Sequence, residues 1–526
     1  MKKIYLRSLM LSILLFSFSQ FISAQQGLSE SQIDSLVEKT MKTFNVPGIA
    51  VAVLKDNKVV HKKGYGTRSL EKGGKVNEHT LFGVASNTKA FTSAALGVLI
   101  DQGKLEWDTP VTDIIPEFKL YDAYVTREFT VRDLLTHRSG LGLGAGDMMV
   151  FPASNVLKKD EVIHNLRFLK PVSSFRSKYD YDNLLYIVAG EVVERVSGQE
   201  YETFIKENFL KPLNMERTAM SWHRIEDYSN VIDGHAPVDG ELIPVGLSFT
   251  KVANAAAGIY SSVEDMSKWV QAQLNHGKYG EDLERELFSE KVHEEMWTPQ
   301  TIVRAGRSPY NTHFTAYGLG WFLSDVKGHL QVTHTGGLLG IVSQVTMIPE
   351  MDLGIIVLTN QQSGSAFRSI TNSIKDSYFG IEGEDRITQY NDARLKREKK
   401  ADSVVAAVWE NIEKAQKSTK TEKINLDNYT GVYNDPWFGK VNITKKEGKL
   451  YFESENIADF KGEMSFYKGI TFVVKWNDRT LKADAFTIFS LDKEGRAKGF
   501  RMEPVSPLTD FSFDFQDLDF SRIEKE

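Results

Sequence analysis

One serine–lysine pair in this sequence lies where it could carry out nucleophilic chemistry. The spacing Ser-x-x-Lys occurs six times, but only Ser86 and Lys89 lie between an apolar strand-like run, 81–85, and an apolar stripe of helical period, 90–99. The two residues are one helical turn apart and so share a face. A serine hydroxyl needs a base to take its proton, and a lysine whose pKa falls from about 10.4 in a dry setting can do this. The alternative is a helix-capping serine followed by a surface lysine.

A tyrosine and an asparagine two residues apart form a second candidate pair. Tyr181 and Asn183 precede a helical apolar run that extends to Val188. A tyrosine hydroxyl can relay protons, and an asparagine side chain can hold an amide carbonyl. The pair could therefore face a cleft beside Ser86. The alternative is a tyrosine packed against the start of a helix.

A third set of residues lies at the end of a predicted strand. His334, Thr335, Gly336 and Gly337 follow the alternating run 330–333. Paired glycines let a ligand approach a strand edge closely, and the histidine and threonine supply hydrogen-bond donors. The run predicts a substrate-binding edge, with an ordinary glycine turn as the alternative.

These candidates must be positioned by helices and strands that the periodicity indicates. A helix is predicted over 31–43, a hairpin over 49–60 and a buried helix over 91–100, with further strands over 342–348 and 353–358. Strands at both ends of this region and helices in its middle predict an α+β fold. We expect an antiparallel sheet flanked by helices, with a helical subdomain, over residues 27–385.

The composition and the hydrophobic pattern change after residue 385. Residues 386–425 are rich in Lys, Glu and Ala and are expected to form a charged, solvated linker helix. From Leu426 onward, short strand patterns alternate with turns. Residues 426–526 are therefore predicted to form an all-β domain, a lipocalin-like barrel or a sandwich.

The composition excludes several kinds of chemistry. The 526 residues contain no cysteine, so disulfides, thiolate zinc sites and cysteine nucleophiles are excluded. The formal charge of −6 argues against nucleic acid as a partner. The sequence has no Gly-x-Ser-x-Gly, no His-Glu-x-x-His and no nucleotide-binding glycine loop. No metal or cofactor is expected.

The first 24 residues have the layout of a secretory signal peptide. Lys2, Lys3 and Arg7 precede an apolar stretch, 9–21, which ends at Ser23 and Ala24. We expect cleavage there and export to a periplasm or beyond, without a membrane segment in the mature chain. A retained membrane anchor is the weaker alternative, because the apolar run is short for a span.

Taken in order, the three motifs resemble those of the serine β-lactamase and penicillin-binding-protein-like family, in its class C branch. Supporting stretches at 134–141, 256–262 and 317–321 agree, and the resemblance covers roughly residues 30–380. The resemblance implies that Ser86 is the acylated nucleophile and that Lys89 and Tyr181 transfer protons. It further implies that Asn183 orients the substrate amide and that His334 and Thr335 line the site. The backbone N–H groups of Ser86 and Gly337 would form the oxyanion hole.

Two positions depart from the family pattern. His334 stands where β-lactamases have lysine, and a neutral histidine grips a carboxylate less firmly, which counts against efficient antibiotic hydrolysis. Asp182 lies between Tyr181 and Asn183, where smaller residues are usual, and is expected to point to solvent.

The predicted function is that of an exported serine hydrolase. A peptidase or amidase acting on D-residue peptides, in the manner of a D-alanyl-D-alanine carboxypeptidase, leads over an esterase or weak β-lactamase. The expected substrates are small molecules or short peptides, peptidoglycan fragments among them. A protein of another class, a non-catalytic module that binds peptidoglycan or a partner, is the remaining alternative.

Overall fold

The computed structural model describes residues 27–246, 250–417 and 424–523. The predicted signal peptide, 1–24, lies outside these residues. The α-helices of the described residues are α1 Glu30–Phe44, α2 Thr88–Asp101, α3 Val111–Ile114, α4 Ala123–Glu128, α5 Val131–Leu135, α6 Lys159–Asn165, α7 Leu184–Ser197, α8 Tyr201–Ile205, α9 Asn254–Ala257, α10 Val263–Leu274, α11 Glu290–Met296, α12 Gly364–Tyr378 and α13 Arg386–Gln416.

Residues 27–385, in which the sequence predicts the catalytic residues, are hereafter called the catalytic region. Its strands are β1 Gly48–Lys55, β2 Lys58–Gly66, β3 Phe82–Gly83, β4 Gly234–Val238, β5 Glu241–Val245, β6 Tyr260–Ser261, β7 Lys278–Tyr279, β8 Arg285–Glu286, β9 Thr301–Val303, β10 Thr315–Tyr317, β11 Phe322–Val326, β12 His329–Leu338, β13 Ile341–Ile348 and β14 Leu353–Thr359. The C-terminal strands are β15 Gly431–Asp435, β16 Gly439–Lys446, β17 Lys449–Ser454, β18 Lys461–Lys468, β19 Thr471–Trp476, β20 Ala485–Leu491, β21 Ala497–Pro504 and β22 Phe520–Ile523.

An antiparallel sheet with the strand order β2-β1-β14-β13-β12-β11-β10-β9 forms the centre of the catalytic region. The predicted hairpin turns at Asp56 and Asn57, which both have positive φ, 51° and 58°. Strand β1 then pairs with β14, so that Val51 lies opposite Val357. This pairing joins the beginning of the region to its end and fixes the sheet as one unit.

Both faces of the central strands are covered, which explains why β1 is apolar without alternation. Ile49, Val51 and Val53 pack with α1 and α12 on one face. Ala50, Ala52 and Leu54 belong to the larger core on the other face, which includes α10. The predicted α+β architecture, with its antiparallel sheet flanked by helices, is confirmed.

Helix α2 is the buried centre of the helical subdomain. Every residue from Thr88 to Leu99 is buried. The ring of Phe91 stacks on Trp269 of α10 at a centroid distance of 3.9 Å. Because α2 is held on all sides, the residues of its first turn are fixed in position.

The C-terminal region is a closed barrel of eight described strands, β15 to β22, in which β22 pairs back with β15. Its interior is filled by aromatic side chains; Phe500, for example, stacks on Phe520 at 4.4 Å. The barrel prediction is confirmed, and the sandwich alternative is wrong.

Helix α13 connects the two regions. Most of its residues are exposed, as expected of a charged helix, but Val408 and Ile412 are buried against Val473 and Val505 of the barrel domain. The expectation of a purely solvated linker is therefore too simple, because one stripe of the helix packs on the barrel. Among the described helices, none is long and apolar enough to cross a membrane.

Candidate active site

Ser86 lies on a tight turn immediately before α2. The residue before it, Ala85, has φ of +51°, a left-handed conformation that is unusual for a residue with a side chain and typical of functional turns. The turn is held from below, because Asn87 Nδ2 donates to Ser343 Oγ at 2.9 Å and Ser343 Oγ donates to the carbonyl of Val84 at 2.7 Å. Ser86 itself is half-buried and so reaches the surface of the site.

Lys89 is fully buried directly behind Ser86. Its Nζ donates to Ser86 Oγ at 3.0 Å, to Asn183 Oδ1 at 2.7 Å and to the carbonyl of Ala256 at 3.0 Å. Burial lowers the pKa of Lys89 to about 7, against the opposing attraction of Asp147 and Asp182. Near neutral pH the amine can therefore accept a proton from the serine hydroxyl.

Tyr181 contacts the same serine from another side. Tyr181 lies beside Ser86, whose hydroxyl opposes the effect of burial on the pKa of the phenol, and Lys89 Nζ lies 4.8 Å from the centre of the tyrosine ring. Burial raises the pKa of Tyr181 well above its ordinary value, so the phenol keeps its proton. In this arrangement the amine is the better proton acceptor, and the phenol can donate.

Asn183 bridges the lysine and a buried carboxyl group. Its Oδ1 accepts from Lys89, and its Nδ2 donates to Asp147 Oδ2 at 2.8 Å. Burial raises the pKa of Asp147 to about 8. The orientation of the amide is thus set by both neighbours.

The glycines at the end of β12 bring this strand against the Ser86 turn. Strand β11 pairs with β12 as far as Thr333, so the edge of β12 beyond that point faces the turn. Thr335 is half-buried and Gly337 is exposed. A Cβ atom on Gly336 would lie 2.1 Å from the carbonyl of Val84 and 2.9 Å from Ala85 Cβ. Only glycine allows this approach, which brings β12 against the turn that carries Ser86.

We expect Gly336→Ala to lower activity at least about 100-fold, comparable to the loss of one oxyanion-hole donor, because the added methyl group must push β12 away from the turn. Gly306→Ala is the control, since Gly306 is exposed in the connection between β9 and β10 and a Cβ there meets nothing within 4 Å. Initial rates on one substrate, with melting temperatures, make the comparison. Equal losses in the two variants would contradict the close-approach argument.

His334 does not present a charge to the site. Its side chain is only 1% exposed, Nε2 lies 3.0 Å from Tyr317 Oη, and Nδ1 lies 2.6 Å from the carbonyl of Thr335. Nδ1 therefore donates to the carbonyl of Thr335, and in the neutral ring Nε2 accepts from the Tyr317 hydroxyl. Burial lowers the pKa of His334 to about 3, so the ring stays neutral at ordinary pH.

The expectation for Asp182 is wrong. Its side chain is completely buried, and its Oδ1 accepts from the backbone N–H of Leu185 at 3.3 Å, at the start of α7. His137 holds the same turn by accepting from the backbone N–H of Asp182 at 3.0 Å. Burial raises the pKa of Asp182 to about 7 and lowers that of His137 well below its ordinary value.

The structure thus brings together Ser86, Lys89, Tyr181 and Asn183, with the β12 edge beside them. Three contacting residues did not emerge from the motifs: Asp147, Tyr317 and Ser512. Asp147 directly follows a glycine-rich run, 140–146, and Tyr317 begins the stretch 317–321, so each had a weak local signal. Ser512 had none, because it lies 365 positions from the residue it contacts.

Comparison with known proteins agrees with this geometry. A model of the beta-lactamase family matches residues 33–376. A second model, a domain of unknown function designated DUF3471, matches residues 415–522 and so covers the barrel.

Relatives include a protein named unguisins hydrolase ungD from Aspergillus violaceofuscus, which is 27% identical over 445 residues, or 79% of this chain and 77% of the fungal protein. Protein flp from Staphylococcus aureus is 27% identical over 350 residues, 64% of each chain. The match thus spans just under two thirds of the staphylococcal protein.

Among solved structures, the octameric penicillin-binding protein homologue from Pyrococcus abyssi has the same fold. It aligns with a TM-score of 0.59 and 22% identity, over 88% of this chain and 97% of the archaeal chain. With the family model matched across the whole catalytic region, the chain belongs to the beta-lactamase and penicillin-binding-protein-like family of serine hydrolases.

Proposed function

We propose that this protein is a serine amidase or peptidase that cleaves short peptides or small amides through an acyl-enzyme at Ser86. The observation that carries the proposal is the placement of a buried amine and a protonated phenol beside one hydroxyl: Lys89 Nζ lies 3.0 Å from Ser86 Oγ and 4.8 Å from the centre of the Tyr181 ring, and Tyr181 lies beside the same serine. A serine held between a base and an acid suits leaving groups that need a proton.

In the acylation step, Ser86 Oγ attacks the substrate carbonyl carbon and its proton passes to Lys89. The developing oxyanion is stabilised by the backbone N–H groups of Ser86 and Gly337, at the start of α2 and the end of β12. The carbon–nitrogen bond then breaks, and Tyr181 donates a proton to the leaving amine. Lys89 restores the tyrosine proton.

In the deacylation step, water attacks the acyl-enzyme carbonyl and passes a proton to the same pair. Ser86 regains its proton as the ester bond breaks, and the carboxylic acid product leaves. The net reaction consumes one water molecule and returns Ser86, Lys89 and Tyr181 to their starting states.

The charges around the site favour a neutral group beyond the scissile bond. His334 is buried and neutral, so it supplies no cation for a substrate carboxylate. Thr335, half-buried on the same strand, can offer a hydroxyl. We therefore place an amide or amidated peptide ahead of a substrate with a free carboxylate next to the scissile bond.

A hydrolysis panel tests this proposal. It compares D-amino-acid amides, an acyl-D-Ala-D-Ala peptide and its C-terminal amide, nitrophenyl esters and nitrocefin. We expect the amides to be cleaved, the amidated peptide about 10-fold faster than the free acid, and nitrocefin to be a poor substrate. Turnover of esters alone would show an esterase, and efficient nitrocefin turnover would contradict the charge argument.

We further propose that the protein is exported, where it would meet peptidoglycan fragments as substrates. The basic and apolar pattern of residues 1–24 supports this. N-terminal sequencing of the protein from the periplasmic or culture fraction should begin at Gln25. A chain that starts at Met1 and stays in the cytoplasm would contradict export.

A further inference from the structure

The barrel domain reaches into the catalytic region through the connection between β21 and β22, residues 505–519. Asp514 accepts from the backbone N–H groups of Gly146 at 2.5 Å and Met148 at 3.3 Å. The ring of Phe513 packs on Phe151 at a centroid distance of 4.9 Å. The connection therefore clamps the loop that carries Asp147.

Two residues of this connection come close to the reacting groups. The ring of Phe511 lies 5.8 Å, centroid to centroid, from the ring of Tyr181 and is 40% exposed. A Cβ on Gly144 would lie 2.6 Å from the Phe511 carbonyl, so the backbones of the two regions almost touch here. Phe511 thus forms part of the surface next to Tyr181.

Ser512 begins a continuous chain of hydrogen bonds that ends at Ser86. Its Oγ donates to Asp147 Oδ2 at 2.9 Å, and the same oxygen accepts from Asn183 Nδ2 at 2.8 Å. Asn183 Oδ1 in turn accepts from Lys89 Nζ at 2.7 Å. Ser512, Asp147, Asn183 and Lys89 are all buried, at most 4% exposed, so water does not loosen the chain.

We propose that Ser512 of the barrel domain is a positioning residue of the active site, which acts through Asp147 and Asn183 to hold Lys89 against Ser86. The inference rests on the proposed function of Ser86 and Lys89. The barrel domain thereby supplies one residue, Ser512, of the hydrogen-bond chain that holds Lys89, and the catalytic region alone lacks this residue.

The surrounding charges predict how removal of the Ser512 hydroxyl changes the pKa values of Asp147 and Lys89. The Ser512 hydroxyl opposes the larger effect of burial on the pKa of Asp147, and the fraction of Asp147 that is ionised favours the ammonium form of Lys89. Without the hydroxyl, the pKa of Asp147 rises further and that of Lys89 falls. The other titratable groups that face Lys89 or Asp147 are Asp182, Asp514, Tyr181, Tyr186, His137 and His334.

The test measures the rate at which a fluorophosphonate labels Ser86 in the full-length protein, across pH. The labelling rate of the wild type should rise with pH as Lys89 loses its proton. For Ser512→Ala we expect the plateau rate to fall about 3- to 10-fold because Lys89 is less well placed. The rise should move only slightly to lower pH, because Asp147, with a pKa of about 8, is only partly ionised where Lys89 titrates. Ser512→Thr, which keeps the hydroxyl, should restore both.

Thr509→Val is the matched control. It removes a hydroxyl from the same connection, one that is buried and makes no hydrogen bond within the described residues. Its profile should equal that of the wild type. Asp147→Asn tests the chain from the other domain and should shift the rise in the same direction, because the neutral side chain no longer attracts the ammonium group.

The outcomes separate the two proposals. Absence of labelling at Ser86 in the wild type overturns the proposed function and this inference together. Labelling of the wild type with an unchanged profile in both Ser512→Ala and Asp147→Asn overturns this inference alone. A fall of the plateau rate in Thr509→Val as large as that in Ser512→Ala also overturns it, because the loss would then come from packing.

Discussion

Ser86→Ala should lower kcat by about 10⁵- to 10⁶-fold on whichever substrate of the panel the wild type cleaves best, as loss of a serine nucleophile does elsewhere. The variant keeps Lys89, Tyr181 and the oxyanion-hole N–H groups, so its binding of substrate should change little. The alanine should fit, because it is smaller than serine and residue 86 is only half-buried. The acyl-enzyme mass increment, observed on the wild-type protein by intact-mass measurement, should vanish.

The sequence offers a matched control for this substitution. Ser490 has the same spacing to a lysine, Lys493, but it lies on the barrel strand β20 with an exposed side chain. Ser490→Ala should therefore retain the wild-type rate. A Ser86→Ala protein that keeps more than about 1% of the wild-type kcat would contradict a nucleophilic role for Ser86, because the estimated loss is far larger.

The fold could be predicted from the sequence wherever the local pattern carries the information. The alternating run of β12 and the buried helix after Ser86 have clear periods, and both elements form where expected. The turn at Asp56 and Asn57 follows from their tolerance of positive φ. What the pattern does not contain is which strands pair, such as β1 with β14.

In the candidate site, too, some contacts follow from local spacing and others depend on how distant parts of the chain pack. Ser86 and Lys89 are tied by one helical turn, so their contact follows from spacing alone. The prediction that Asp182 faces solvent is wrong, because a polar residue beside a helix start can also cap that helix from inside the core. The contact of Ser512 with Asp147 depends on how two regions dock, and no local period encodes that.

The position of Lys89 is fixed by its own helix, but its pKa is set by groups from distant parts of the chain. Asp147 and Asp182 come from two loops, and burial of the ammonium group depends on α7 and α9 closing over α2. The residue can be identified from the sequence, whereas its proton affinity depends on the assembled fold.

The second large effect that we expect concerns Lys89 as a base. Burial lowers its pKa to about 7, so the neutral, proton-accepting amine predominates above that pH and the ammonium form below it. The logarithm of kcat/KM should therefore rise with unit slope up to about pH 7 and then level off. Lys89→Ala should lower kcat about 10³- to 10⁴-fold and remove this rise, because the remaining groups are poorer bases at Ser86.

Lys89→Arg distinguishes a base from a fixed positive charge. The guanidinium group keeps its proton throughout the accessible pH range, so the variant retains the charge but cannot accept the serine proton. We expect a loss as large as that of Lys89→Ala, and activity within about 10-fold of the wild type would show that only the charge is needed. Asp182→Asn completes the test, since burial places the pKa of Asp182 in the same range, about 7. The rise should persist in that variant, because Lys89 rather than Asp182 gives up the titrating proton. It should move slightly to lower pH, because Asp182 no longer attracts the ammonium group.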